Sequence, residues 1–504
     1  MHYISSFLYA LTGVLLFTII YSILSALYNL YLHPLRNFPG PKIRAASEWP
    51  YFWSLFRGYA PQYMLDLHTQ YGPVVRVAPN ELTFNTAGAF RDIYGQKKQE
   101  QAELTKDKKY ISGMGEPTLL HSDKEYHAYL RKMMAPGFSD GALRKQEVVV
   151  KEYLGLLVEK LEEESQRGKR TVDLLEWVNF FVFDVVGHLT YTESFDCLTT
   201  STLHPWVTKF TKLGRPMAYA QAAERLPKLL RLPFMALALD KSILSDRNTV
   251  YKISEAKVQH RLTKPTHFPD FLGNLIQSHR DGKMTLNQLN SNAVFLMAAG
   301  TETLVTSVVH TIYRLLTNKH TLAKLTAEIR GAFATPDDIN MTGVNKCKYL
   351  LACLEENLRI QAPSPATHPR FTPKQGVYVD GYWVPGGAAV GVPIHAACNS
   401  RRNFSEPDKY APERWMMMPG SSSDANEYAG DTKSASQVFS LGPRDCLGRT
   451  IATAMMRLIV AHLVWHFDLE QCFPDNWAEQ KVYLVWEKPP LPVKLHPAAM
   501  KKEM

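Results

Sequence analysis

The sequence predicts a mainly α fold with a small β portion, preceded by one N-terminal transmembrane helix. Three observations predict it: a charge-free apolar run from Tyr3 to Leu32, a long helical run opening at Thr285, and a short alternating stretch, Val377 to Val384, centred on Asp380-Gly381. The 504 residues are 45% hydrophobic and 21% charged, a globular composition that can bury a large core. Length alone allows about three domains. Yet no Gly/Ser-rich or Pro-rich linker and no repeat interrupts residues 42–495. The expected organisation is an anchor at residues 1–32, a Pro-rich hinge at 33–41 and one large domain at 42–504.

The first element is the anchor. A bilayer-crossing helix needs about 20 apolar residues, whereas a cleaved signal has about 7–15 after a charged start. The run Tyr3–Leu32 is too long for a signal and has no basic start. Arg36, Lys42 and Arg44 follow the span and place its C-terminal side in the cytosol. Leu32-His33-Pro34-Leu35 and Phe38-Pro39-Gly40-Pro41 then form a stiff hinge, because proline fixes φ and cannot extend a helix. A second apolar stretch, Leu226 to Leu244, has two readings: an amphipathic contact with the same bilayer, or ordinary core packing.

The net charge of +9 fits anionic lipid or an acidic protein partner. Nucleic acid is not expected, since basic runs are limited to pieces such as Lys106, Lys108 and Lys109. The six cysteines are scattered, with no C-x-x-C pair and no Cys/His zinc spacing. That pattern suits a reducing cytosol and excludes a disulfide framework.

Thr285 and Gln288 form a capping box that opens a helix running to about Leu316. Its middle, Ala298-Ala299-Gly300-Thr301-Glu302-Thr303, contains a glycine that costs about 1 kcal/mol against alanine, so the glycine needs a reason. Glu356 and Arg359 share a helical face at i,i+3, and Pro363 closes that helix. The spacing alone carries nothing, because Glu164 and Arg167 repeat it. Val377 to Val384 alternates about an Asp-Gly turn, a hairpin signal. Arg449 to Phe467 reads as a helix, with Ile451, Met455, Leu458, Ile459 and Leu463 at helical spacing. Cys446 lies just ahead of it, where helix N–H groups and the dipole lower a thiol pKa.

The loop Phe439-Ser440-Leu441-Gly442-Pro443-Arg444-Asp445-Cys446-Leu447-Gly448 resembles the ligand-loop signature F-x-x-G-x-R-x-C-x-G of the cytochromes P-450 at every fixed position. Five fixed residues would match by chance in about two of ten thousand chains this long. The resemblance implies the cytochrome P-450 fold and haem b, with Cys446 as the thiolate ligand of the iron. Gly442 would permit the turn, Gly448 would let the backbone approach the porphyrin, Phe439 would shield the sulfur, and Arg444 would pair with a propionate. Tyr126-His127-Ala128-Tyr129-Leu130-Arg131 resembles the family's W-x-x-x-R, with His127 where many members have Trp. Arg131 and Arg370 match further propionate positions. His368 has two readings, a substrate or propionate contact, or a polar turn residue. In the central helix, Gly300 would make room for dioxygen, and Glu302 and Thr303 would deliver protons. Leu304 replaces the second hydroxyl residue often found there. Glu356, Arg359 and Arg414 would form a buried ion network. Phe295, Leu296, Ala299, Ala366 and Thr367, with the loop around Ile111 and Met114, would face the substrate in a mostly apolar site.

The hinge and the segment Phe183-Asp184-Val185-Val186-Gly187 through Glu193-Ser194-Phe195 resemble the filamentous-fungal members of secondary metabolism. The resemblance implies a monooxygenase that hydroxylates or epoxidises a lipophilic small molecule. With no G-x-G-x-x-G loop and no flavin domain, electrons would come from NADPH through a separate reductase on the same membrane. The expected place is the endoplasmic reticulum, single-pass, facing the cytosol. Lys501-Lys502-Glu503-Met504 resembles a dilysine retrieval signal and equally a solvated tail. The competing readings are an oxygen-independent isomerase or dehydratase on the same fold, and a non-catalytic membrane haem protein.

Overall fold

The computed structural model describes residues 2–96, 104–107, 116–264, 268–416 and 427–498. Ile111, Met114, Lys108, Lys109 and the C-terminal Lys501–Met504 lie outside the described residues. The helices that position the site are α1 (His2–Tyr31), α2 (Trp49–Phe56), α3 (Lys124–Met134), α4 (Asp140–Ser165), α5 (Leu174–Tyr191), α6 (Gly214–Ala223), α7 (Lys228–Ala238), α8 (Ile243–Thr263), α9 (Leu286–Thr317), α10 (Lys348–Ile360) and α11 (Arg449–His466).

The core is built around α9, which packs against α5, α8, α10 and α11. Its start is the capping box: Thr285 Oγ1 accepts from Gln288 N at 3.2 Å, and Gln288 Oε1 accepts from Thr285 N at 3.0 Å. By length and hydropathy α9 could cross a membrane, but 67% of its apolar window is buried inside the protein. The apolar part of α1 is different: Leu16, Phe17, Ile20, Ile23 and Leu24 stand exposed, with no protein face covering them. The hinge after α1 is tied down, since Arg76 N donates to Pro39 O at 2.7 Å and Arg76 Nη1 to Asn29 O at 2.9 Å.

The segment around Asp184 has a local cause. Asp184 Oδ1 accepts from the N–H groups of Phe195 (3.1 Å) and Cys197 (3.0 Å), and Oδ2 from that of Leu198 (2.8 Å). A buried carboxylate thus closes the chain reversal after α5. Gly187 is needed because a Cβ there would lie 2.8 Å from the Phe195 ring.

The β portion is small. A five-stranded sheet takes the order β1-β2-β8-β5-β3, from β1 (Val74–Ala78), β2 (Glu81–Phe84), β3 (Thr105–Lys106), β5 (Arg370–Phe371) and β8 (Ala389–Gly391). Strand β4 (Thr171–Asp173) joins β12 (Pro492–Pro497) and β9 (Phe467–Gln471), and β10 (Val482–Tyr483) pairs with β11 (Val485–Trp486). The Asp-Gly hairpin joins β6 (Val377–Val379) to β7 (Tyr382–Val384), with Val377 opposite Val384. Asp380 and Gly381 have φ of 50° and 81°, the primed geometry that suits the twist of two antiparallel strands.

One alternative is resolved for the apolar stretch after Leu226. Helix α7 has no buried residue, and Leu229, Leu232 and Leu237 are 84%, 81% and 90% exposed. Core packing is therefore excluded for them. Phe234 turns inward, with its ring 5.2 Å from Phe52 and 5.7 Å from Phe56.

Candidate active site

The cysteine loop is a tight turn set against the protein by Gly442. Its φ is +74°, and a Cβ there would lie 2.2 Å from the Tyr94 carbonyl oxygen, so no other residue fits. Cys446 N donates to Phe439 O at 2.9 Å, and α11 begins three residues later. Arg449 lies against Phe439, its guanidinium carbon 5.3 Å from the ring centre. Among the six cysteines, Cys197, Cys347, Cys353 and Cys398 are buried, whereas Cys446 and Cys472 are exposed. Burial pushes the Cys197 thiol up to about 12 and those of Cys347 and Cys398 to about 11, which leaves them inert.

Cys446 departs from expectation. It is exposed to solvent yet flanked by dense protein, and desolvation raises its pKa; the Gly448 N–H, Arg449 and Arg131 pull it down without overcoming that, and Asp445 raises it further. The donors that favour a thiolate are in place, but they are not sufficient alone. A metal cation is what deprotonates a coordinating thiol outright.

Helix α9, which packs on α11, is buried on both sides of a short open patch. Ala299 is exposed there, and Phe295, Gly300, Glu302 and Thr303 are half-buried. Leu296 is only 6% exposed and belongs to the main core, so it does not share that open surface. Gly300 has a packing reason of its own: a Cβ would come 3.1 Å from Val186 Cγ1 on α5. Thr303 Oγ1 donates to Ala299 O at 2.6 Å. The Glu302 carboxylate is ion-paired with Lys488, so the acid and the hydroxyl are turned to different partners.

His127, Arg131, Arg370 and Arg444 are brought together from α3, β5 and the cysteine loop, with Lys106 of β3 beside them. Burial first, then the charges of Arg444, Lys106, Arg131 and Arg370, push His127 down to about 4. His368 falls to about 3 through burial, Arg370 and Lys106. Arg131 Nη1 donates to Asp445 O at 2.8 Å, and its Nη2 pairs with the Asp445 carboxylate. Arg444 Nη1 donates to Ser122 O at 3.2 Å, and Arg370 Nη1 to the carbonyls of His368 and Pro369, both at 3.2 Å.

These observations test whether a haem fits. Four cations ring a neutral imidazole, and among the described residues the buried Ser122 Oγ beside Arg444 meets no partner, a lining whose chemistry suits an anionic group. At Gly448, a Cβ would find nothing closer than Ile451 and Phe138 at 4.0 Å. Among the described residues nothing demands glycine there, which suits a backbone that approaches a ligand. The exposed sulfur and the open patch on α9 complete the fit.

Behind the site, Glu356 is wholly buried between two arginines. Its Oε2 is 2.8 Å from Arg359 Nε, and its Oε1 is 3.0 Å from Arg414 Nε. Trp415 Nε1 donates to Oε2 at 2.8 Å, and Arg414 also pairs with buried Asp431. Trp415 and Asp431 carried no signal of their own in the sequence, because their partners lie on other elements.

A family profile described as cytochrome P450 matches residues 44–495. The cytochrome P450 monooxygenase astJ of Aspergillus oryzae is 36% identical over 480 residues, 94% of this chain and 95% of that one. The averantin hydroxylase of Dothistroma septosporum is 36% identical over 492 residues, 96% and 91% of the two chains. The chain belongs to the cytochrome P450 family. The crystal structure of cytochrome P450DA heme domain shares its fold, with a TM-score of 0.70 at 16% identity over 89% of this chain and 94% of that one. The family implies a haem-thiolate centre in this cytochrome P450.

Ala366 and Thr367 line a cavity with Tyr51, Met64, Gln221 and Arg225. Phe295, Leu296 and Ala299 do not line it. Most of its lining is apolar, Leu55, Pro365 and Leu484 included, with Arg225, which bridges Glu48 (2.7 Å) and Glu81 (2.9 Å), as a charged exception. Sequence reasoning missed Arg225 and Lys488, since each meets carboxylates more than a hundred residues away.

Proposed function

We propose that this chain is a membrane-anchored haem-thiolate monooxygenase that tailors a lipophilic fungal secondary metabolite by hydroxylation or epoxidation. That it is a cytochrome P450 monooxygenase follows from its family and near-full-length relatives; the substrate class and setting are our reading. Exposure of the Cys446 sulfur in the turn ahead of α11 carries it.

Haem b is the cofactor we assign. Cys446 would ligate its iron, His127, Arg131, Arg370 and Arg444 would hold its propionates, and Phe439, Gly442 and Gly448 would shape the loop around the sulfur. A thiolate-ligated haem supplies cleavage of the O–O bond of dioxygen. Around it, Glu302 Oε and Thr303 Oγ1 would move protons inward, and Gly300 keeps that stretch of α9 free of a side chain. Ala366 and Thr367 would guide a lipophilic substrate from the cavity toward Ala299 and Phe295. Glu356, Arg359 and Arg414 hold the frame that supports the cysteine loop.

The chain carries no flavin or dinucleotide motif, so NADPH would act through a separate reductase docking on the basic face near Arg449. Residues 1–32 would span the endoplasmic reticulum membrane once, 33–41 would form the hinge, and 42–504 would face the cytosol. Exposed Leu229, Leu232 and Leu237 would rest in the same bilayer.

The test is the optical spectrum of the purified, reduced protein under carbon monoxide. The expected band is that of a thiolate-ligated haem, lost in Cys446→Ser. A histidine-type spectrum, or an unchanged band in the variant, defeats the reading. Metabolite profiling of a deletion strain, which should accumulate an unoxidised precursor, identifies the substrate.

A further inference from the structure

We infer that Lys488 is a positioning residue for the reaction, holding the Glu302 carboxylate turned off the open patch of α9 until a proton is needed; this rests on the reading of Glu302 as a proton-delivering group.

Lys488 lies between β11 and β12, far from every motif in the sequence. Its side chain is only 7% exposed, and that of Glu302 18%. The ammonium donates to the Glu302 carboxylate, to Thr306 Oγ1 at 3.1 Å and to Trp486 O at 3.0 Å. Three donors thus meet three acceptors, and the charge is fully satisfied. Thr306 is one helical turn beyond Glu302, so the lysine clamps one face of α9 at two successive turns.

The other face carries the consequence. Thr303 spends its proton on Ala299 O at 2.6 Å, and it makes no hydrogen bond to Glu302. In this arrangement the carboxylate serves the lysine and not the open patch at Ala299. An ion pair this little exposed is weakly screened, so it persists unless something competes for the carboxylate. Glu302 therefore reaches the patch only by rotating away from Lys488, and the lysine sets how often it does so. Without the lysine, the carboxylate loses its outer partner and is released to turn inward.

The test uses the full-length, haem-loaded protein with carbon monoxide as the probe. The infrared C–O stretch of the reduced complex reads the electric field over the open patch. Lys488→Met is expected to add a second C–O band that disappears in Lys488→Met/Glu302→Gln, whereas Lys488→Arg keeps the single wild-type band. With reductase and NADPH, the share of electrons ending in peroxide should rise in Glu302→Gln and fall about tenfold in Lys488→Met. If Lys488→Met does not fold, Lys488→Gln, which keeps a hydrogen-bond donor, is read by the same two measurements. A wild-type C–O band in the neutral variants, or a new band that persists in the Glu302→Gln background, overturns the inference. A normal peroxide yield in Glu302→Gln alone removes the role of Glu302 itself. An impaired Glu302→Gln beside a normal Lys488→Met removes only the role of Lys488.

Discussion

The guanidinium carbon of Arg225 stands 3.5 Å from the centre of the Tyr51 ring, stacked on it while its nitrogens reach Glu48 and Glu81. Burial works against the charge, yet Glu81, Tyr51 and Glu48 outweigh it and hold Arg225 above the usual arginine range. Arg225 sits between α6 and α7, so it ties that segment to α2 and β2. Arg225→Met would strand Glu81, whose carboxyl burial already raises. We expect a loss of about 3–5 kcal/mol in the urea unfolding of the holoprotein. Arg225→Lys keeps the charge but not the two-pronged geometry, and should lose less.

The Glu356 network supports a sharper contrast. Arg414→Met leaves Asp431 buried and unpaired, and should cost about 3–5 kcal/mol and lower the haem content of the purified protein. Arg167→Ala, in the other E-x-x-R, alters an exposed side chain and should move stability by less than about 0.5 kcal/mol. Equal losses from the two would mean that burial of the network is not what matters.

What was legible in the sequence is what a single element determines. The capping box at Thr285, the Asp380-Gly381 turn and the glycine at 442 each follow from backbone geometry within a few residues. The partners of Arg225 are 144 and 177 residues away, and Lys488 meets Glu302 across 186. Such pairs exist only after tertiary packing, and no local spacing marks them. Gly300 shows a subtler limit. The motif suggested room for a ligand, while the contact with Val186 supplies a packing reason that one helix alone cannot reveal. Leu296 likewise lies one residue from Phe295, yet that step carries it from the open patch into the core.

His310 contributes to the pH dependence of stability. It is wholly buried, hydrogen-bonded to Thr306 O (2.8 Å) and Gln480 Oε1 (3.2 Å), and burial pushes it down to about 3. In the unfolded chain it titrates near 6.5. The unfolded state therefore binds the extra proton first, so this contribution is complete above pH 6.5 and is lost as pH falls toward 3. Between pH 7 and pH 5 the imidazole should cost about 2 kcal/mol of stability. His310→Gln removes the titration. Its stability should fall less steeply over that interval, as read from unfolding midpoints at matched ionic strength.

The two glycines of the cysteine loop should fail in different ways. Gly442→Ala forces a Cβ to 2.2 Å from the Tyr94 carbonyl at a φ of +74°, so the loop must move and the thiolate spectrum should be lost together with stability. Gly448→Ala meets only ordinary contacts at 4.0 Å, so the apoprotein should fold with unchanged circular dichroism. Its haem-to-protein ratio should nevertheless drop. A normal haem content in Gly448→Ala would show that the porphyrin does not pass over that backbone.

Membrane attachment separates into two parts by the same reasoning. Removing residues 1–32 takes away the exposed apolar face of α1, and the protein should move from the carbonate-resistant to the carbonate-extractable fraction. It should not become free of lipid, because Leu229, Leu232 and Leu237 on α7 still face outward. Burying one such leucine contributes about 1.5–3 kcal/mol. The shortened protein carrying Leu229→Ser, Leu232→Ser and Leu237→Ser should therefore lose most of its sedimentation with neutral phosphatidylcholine vesicles. Since none of the three side chains is part of the core, its unfolding midpoint should stay where it was. Vesicle binding that survives the three substitutions would place the second contact elsewhere, with Trp49 and Trp53 of α2 as the next exposed apolar residues to change.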